Sequence, residues 1–190
     1  MNNKAVFLDR DGTINIDTHY LHDPARFVMY PGVGKGVRLL QDHGFRIIVI
    51  TNQSGIGRGY FSEKQLFAVH ERMNDLFRQF GVSLAGIYYC PHHPDDHCTC
   101  RKPQTGLFEK AVLEHAIDVS RSFMVGDKLL DIEAGKKIGA VTILIPEPLE
   151  REQLLQAKSH WTVNPDYIAK NFSDAVKWII ETETRQSTIS

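Results

Sequence analysis

The chain opens on an apolar run, Ala5-Val6-Phe7-Leu8, that stops at Asp9-Arg10-Asp11-Gly12-Thr13. A short run of this kind ending in a polar turn reads as a buried strand, and its end carries two carboxylates two residues apart. Open α/β sheets bind ligands at the carboxyl ends of their strands, so the pair falls where a phosphate or a metal is met. Gly12 lets the backbone turn and approach such a ligand closely. Two crowded carboxylates repel. A divalent cation relieves that repulsion, and one carboxyl can stay protonated, so the pair can supply an ionised nucleophile and a proton donor.

The remaining pattern alternates in kind. Strands are expected over residues 4–9, 45–51, 84–90, 122–126 and 140–145, and helices over 33–43, 62–80, 106–116, 129–138, 149–157 and 173–182. Alternating strands and helices imply a parallel sheet covered by helices on both faces, and residues 1–190 are expected to form one domain with a polar tail, 183–190, that frays. A net charge of -1, from 22 basic and 23 acidic residues, gives no general attraction to nucleic acid or anionic membrane. Phosphate recognition must therefore come from a few placed cations. No leader pattern precedes the first strand and no apolar run approaches the roughly 20 residues that span a bilayer, so a cytoplasmic protein is expected.

All three cysteines fall in Cys90-Pro91-His92-His93-Pro94-Asp95-Asp96-His97-Cys98-Thr99-Cys100. An odd, clustered count does not make a disulfide framework. Three thiolates and one imidazole fit a closed tetrahedral zinc site, which His92, His93 or His97 could complete. A site with four protein ligands has no open position for water, so the zinc is structural. It folds a loop, 90–100, that leads directly into Arg101-Lys102.

Three further segments follow in order: Thr51-Asn52 after the apolar run 45–50, Arg101-Lys102-Pro103, and Gly126-Asp127-Lys128-Leu129-Leu130-Asp131 after Ser122-Phe123-Met124-Val125. With the D-x-D-G-T segment they resemble the four motifs of the haloacid dehalogenase (HAD) superfamily of aspartyl-phosphate phosphotransferases over residues 4–146. The resemblance implies a Rossmann-like HAD fold. About 40 residues separate Asp11 from Thr51 and about 50 separate Thr51 from Lys102, too few to add a cap domain of at least roughly 50 residues. A capless, open site is expected.

Thr51-Asn52-Gln53-Ser54-Gly55-Ile56-Gly57-Arg58-Gly59, together with Thr13-Ile14-Asn15, Tyr20, Tyr88-Tyr89-Cys90-Pro91-His92-His93-Pro94, Cys100-Arg101-Lys102-Pro103 and Gly126-Asp127-Lys128, resembles the D-glycero-D-manno-heptose-1,7-bisphosphate 7-phosphatase family. The C-x-H…C-x-C pattern, found in this group and in histidinol-phosphate phosphatases, points to Cys90, His92, Cys98 and Cys100 as the zinc ligands. The zinc loop does not separate the two groups; the 51–59 loop, His19-Tyr20 and the Gly-Asp-Lys motif favour the heptose group.

That resemblance implies a Mg²⁺-dependent phosphatase that removes the 7-phosphate in nucleotide-activated heptose biosynthesis, for lipopolysaccharide core or S-layer glycan. It is expected to work as a monomer on a small-molecule sugar bisphosphate, without nucleic-acid or membrane partners. Asp9 would be the nucleophile and Asp11 the proton donor and acceptor. Magnesium would be held by Asp9, Asp127 and the Asp11 carbonyl, with Asp131 behind them. Thr51 and Lys102 would stabilise the phosphoryl group, while Asp17, Thr18, His19, Tyr20, Asn52, Gln53, Ser54, Arg101 and Lys128 would contact substrate. Arg58, in a Gly-Arg-Gly turn, is a further candidate for the distal phosphate. Two other readings stand beside this one. Histidinol-phosphate phosphatase has the same chemistry, and a non-enzymatic zinc-binding interaction module leaves the phosphotransfer motifs unexplained.

Overall fold

A computed structural model describes residues 3–148 and 150–189. Six parallel strands form one sheet in the order β3-β2-β1-β4-β5-β6: β1 Ala5–Leu8, β2 Arg46–Asn52, β3 Gly86–Cys90, β4 Phe123–Gly126, β5 Val141–Leu144 and β6 Tyr167–Ile168. The helices are α1 Val33–Asp42, α2 Ser54–Gly57, α3 Glu63–Arg78, α4 Gly106–His115, α5 Leu129–Ile138, α6 Arg151–Gln156 and α7 Phe172–Ile189. This is the expected HAD-type, Rossmann-like α/β fold, and no cap domain interrupts it among the described residues. No helix among them is long and apolar enough to cross a membrane.

Side chains alternate across each strand, so one strand feeds two cores. Val6 and Leu8 pack with α1, α3 and α7 through Val37, Met73, Phe77 and Ile179, whereas Ala5 and Phe7 face Phe108 and Ala111 of α4 and Ala134 of α5. The α3 boundary follows from its capping box, in which Ser62 and Gln65 exchange hydrogen bonds with each other's backbone.

Two elements were not legible. β6 has only two residues and holds the sheet edge through Asp166, whose carboxylate accepts from the Thr142 amide at 2.7 Å and pairs with Lys136. α2 lies in the segment read as a flexible glycine loop. A Cβ on Gly57 would stand 2.5 Å from the His93 nitrogen, so glycine there serves close packing against the zinc loop. The last helix runs beyond the expected 173–182: α7 continues to Ile189, with the Thr184 hydroxyl and the Arg185 Nε donating to carbonyls one turn back. Ser190 lies outside the described residues, as does Leu149 at the start of the helix expected over 149–157.

The chain runs out from β1 to β2 and β3, then returns to place β4 on the other side of β1. This reversal opens a crevice at the carboxyl edge between β1 and its neighbours. Leu8 lies level with Val49 and Val125, so Asp9, Thr51 and Asp127 emerge from three adjacent strands within two residues of a common line.

Candidate active site and metal centres

A cavity of about 250 Å³ occupies that crevice. Its lining includes Asp9, Asp11, Asp17, His19, Tyr20, Thr51, Asn52, Gln53, Ser54, Arg101, Lys102 and Lys128, and also Gly55 and Leu130, which sequence reasoning did not single out. Thr18 and Arg58 are not among its lining residues.

Lys102 is nearly inaccessible; its ammonium donates hydrogen bonds to Asp9 Oδ1 and the Ile50 carbonyl, each at 2.7 Å, and forms an ion pair with Asp131 Oδ1 at 2.6 Å. Burial alone would favour neutral lysine, but Asp131 and Asp9 outweigh it and hold the pKa above the ordinary lysine value. Asp131, expected only behind the metal ligands, is thus a direct ion-pair partner of Lys102.

Asn52, expected to contact substrate, lines the cavity and also binds the Lys102 backbone. Its Nδ2 donates to the Lys102 carbonyl at 3.1 Å and its Oδ1 accepts from the Lys102 amide at 3.0 Å. This two-way clamp ties the end of β2 to the exit of the zinc loop and fixes where the Lys102 side chain starts.

Asp9, Asp127 and Asp131 present carboxylate oxygens all within 4.8 Å of one another. Burial, followed by the charges of Asp9 and Asp131, pushes Asp127 up to about 9, and its Oδ1 has no hydrogen-bond partner. Hard oxygen donors crowded to mutual repulsion, with one buried and unpartnered, fit a divalent cation such as magnesium. Gly12 permits this crowding: at φ +87° it takes a left-handed conformation, and a Cβ there would lie 2.4 Å from Asp127 Oδ2.

Asp11, the expected proton donor and acceptor, is surrounded by hydrogen-bond donors. Its carboxylate accepts from Arg10 Nη2 at 2.7 Å, Arg10 Nε at 3.2 Å, Asn15 Nδ2 at 3.0 Å and Gln53 Nε2 at 3.0 Å. Burial works to raise its pKa, but the Arg10 charge and these donors prevail and hold it below the usual carboxylate value. The sequence shows Arg10 between the two aspartates, yet not that its guanidinium folds back onto Asp11.

His19 and Tyr20, also lining the cavity, both adopt left-handed backbone, at φ 52° and 50°. Tyr20 meets Tyr60 edge to face with centroids 4.8 Å apart, so Tyr60, unnoticed in the sequence, buttresses the loop. Lys128 spans the gap, 3.3 Å from Asp17 and 3.5 Å from Asp127.

The second centre lies beside the cavity. The Cys90, Cys98 and Cys100 sulfurs are 3.2–3.5 Å apart, and His92 Nδ1 lies 3.5 Å from Cys90 and 3.2 Å from Cys100. Donors at the corners of a zinc tetrahedron with bonds of about 2.3 Å stand roughly 3.5–3.8 Å apart, so these four can hold one metal. His93 is used elsewhere, its Nδ1 accepting from the Asp95 amide, and His97 is not in the cluster. Backbone bonds from Gln53 to the Cys90 carbonyl and from Gly57 to the Pro91 carbonyl, each 2.8 Å, join this loop to α2.

Known proteins carry the same architecture. The HAD-hydrolase-like family model matches residues 99–175. The D-glycero-beta-D-manno-heptose-1,7-bisphosphate 7-phosphatase of Haemophilus ducreyi is 49% identical over 149 residues, covering 75% of this chain and 82% of the relative. The protein of the same name from Pasteurella multocida is 40% identical over 93% of this chain and 96% of its own length. The crystal structure of D,D-heptose 1,7-bisphosphate phosphatase from B. bronchiseptica, complexed with magnesium and phosphate, superposes with a TM-score of 0.85 at 28% identity, covering 94% of this chain and 99% of that one.

Proposed function

The chain belongs to the D-glycero-D-manno-heptose-1,7-bisphosphate 7-phosphatase family of HAD hydrolases, and from that premise we propose that it hydrolyses the 7-phosphate of this bisphosphate through an aspartyl phosphate on Asp9. The observation that carries the mechanism is the buried Asp9–Lys102 pair, 2.7 Å apart on the cavity floor. Asp9 attacks phosphorus in line as the bond to the sugar oxygen breaks, and Thr51 and Lys102 bear on the charge that spreads over the equatorial oxygens. When bound, magnesium adds Lewis-acid charge to the phosphoryl oxygens, and Asp9, Asp127 and the Asp11 carbonyl are its expected ligands.

Asp11 gives a proton to the departing sugar hydroxyl and takes one back from the water that opens the aspartyl phosphate, so the cycle balances. The carboxylate seen in this geometry is the form that activates water. For the first step Asp11 takes up a proton. Arg101 and Lys128, both lining the cavity, are read as cations for the rest of the substrate, together with Asp17, His19, Tyr20, Gln53 and Ser54. Zinc in the Cys90, His92, Cys98, Cys100 cage is read as structural, and the working form as a cytoplasmic monomer.

The decisive test compares kcat/KM for heptose 1,7-bisphosphate, heptose 7-phosphate and histidinol phosphate at fixed ionic strength. The bisphosphate should rank highest, because charge-assisted contacts to a remote phosphate strengthen transition-state binding. Arg101→Ala should reduce that preference more than it slows a small aryl phosphate. If histidinol phosphate is turned over as efficiently, the heptose assignment falls while the HAD chemistry stands.

A further inference from the structure

Arg10 is fully inaccessible, although its side chain carries a full positive charge. A buried guanidinium is tolerated only where its donors meet acceptors, because an unpaired charge in the interior is strongly destabilising. Two partners satisfy it here. Nε and Nη2 grip Asp11, and Nη1 points the other way, to His70 Nε2 at 3.2 Å.

His70 sits on the buried face of α3 with Leu66, Val69, Met73 and Phe77, and its ring meets Tyr89 at 6.1 Å. Arginine has no acceptor, so His70 Nε2 must be the lone-pair side of a neutral ring with its proton on Nδ1. Burial, followed by the Arg10 charge, pushes His70 down to about 3, which keeps it in that form. An apolar residue would suit the core face of α3 better unless the acceptor itself is used.

We propose that Arg10 and His70 are positioning residues for the acid–base carboxylate: His70 anchors the far end of the guanidinium, and the anchored guanidinium sets where Asp11 points. The inference rests on the acid–base reading of Asp11. α3 thereby becomes part of the catalytic apparatus, although none of its side chains lines the cavity. Neither residue touches substrate. Without the acceptor, Nη1 would pull the guanidinium toward another partner and carry Asp11 with it.

The test uses leaving-group dependence in the full-length, metal-loaded enzyme. A carboxyl that is present but misaimed fails as an acid most where the leaving group needs a proton, so His70→Phe should slow the sugar bisphosphate by about 10-fold or more. An aryl phosphate, whose phenolate leaves unaided, should slow by less than about 3-fold. His70→Gln, which restores an acceptor oxygen, should recover most of the sugar-phosphate rate. Arg10→Lys, which keeps the charge but not the fork, should behave like His70→Phe.

Asp11→Asn provides the reference. If it slows both substrates equally, the acid–base reading of Asp11 fails and this inference with it. If Asp11→Asn shows the split but folded His70→Phe slows both substrates equally, or neither, the positioning role alone is overturned. Should His70→Phe not fold, His70→Asn and His70→Gln decide between them: the shorter amide should show the split and the longer one not, and identical behaviour of the two overturns the proposal.

Discussion

Asp9 can act as a nucleophile only if it is aimed into the cavity, and Lys102 holds it there through one hydrogen bond at 2.7 Å. Asp9→Asn keeps the shape but removes the charge that attacks phosphorus. It should lower kcat by roughly 10⁴-fold or more while circular dichroism and phosphate-analogue binding persist. Retained turnover would exclude an aspartyl phosphate. The identity of this residue was readable from its place after Ala5-Val6-Phe7-Leu8, because an aspartate at a strand's carboxyl end has few structural uses. The state of its neighbour was not readable. Arg10, with Asn15 and Gln53, holds the Asp11 pKa below the usual carboxylate value, and Gln53 reaches it from 42 positions along the chain.

At the scale of elements, the zinc loop and β2 act on Lys102 together. Asn52→Ala removes both bonds of the clamp, and a displacement of about 1 Å at the cation can cost on the order of 10²-fold in rate. The expected result is a kcat loss of similar size for sugar and aryl phosphates with little change in KM; a loss confined to the sugar KM would make Asn52 a substrate ligand after all. Cys98→Ser opens the four-donor cage and should lower Tm by roughly 5 °C or more, with activity falling in parallel. If zinc-free protein melts and turns over like the loaded form, the cage has no structural role. Helix and strand identities followed from periodicity, but face assignment was harder. Phe67, Met73 and Phe77 look like one apolar face of α3, yet Phe67 is half exposed while Leu66, Val69 and His70 are buried. The reason is angular: six residues at 100° each carry Phe67 well round the helix from Met73.

For the whole molecule, the acidic cluster makes stability depend on pH and on metal. Asp127 is held at about 9, against about 3.9 in an unfolded chain, so between these values the folded state binds more protons. Its contribution is fully present below about pH 4 and is lost as pH rises toward 9 in metal-free protein; Asp131, pushed up to about 6 chiefly by burial, adds in the same direction. A divalent cation neutralises the repulsion. The rise in Tm on adding Mg²⁺ should therefore grow between about pH 5 and pH 8, measured by calorimetry on EDTA-treated protein that keeps its zinc. A shift that shrinks with pH would place the cation elsewhere.

The sequence by itself determined the parallel α/β layout, the strand ends that carry Asp9, Thr51 and Asp127, and the zinc cage, because these depend on local composition and spacing: apolar runs of strand length, turn residues after them, and soft ligands packed into one loop. The tertiary structure alone decided which charges meet. Lys102 reaching Asp9 and Asp131, Asn52 clamping Lys102, and His70 backing Arg10 join positions 29 to 93 residues apart. Each pairing is set by the crossovers that lay β1, β2 and β4 side by side and by the buried face α3 turns toward them, and no local pattern in the chain encodes that geometry.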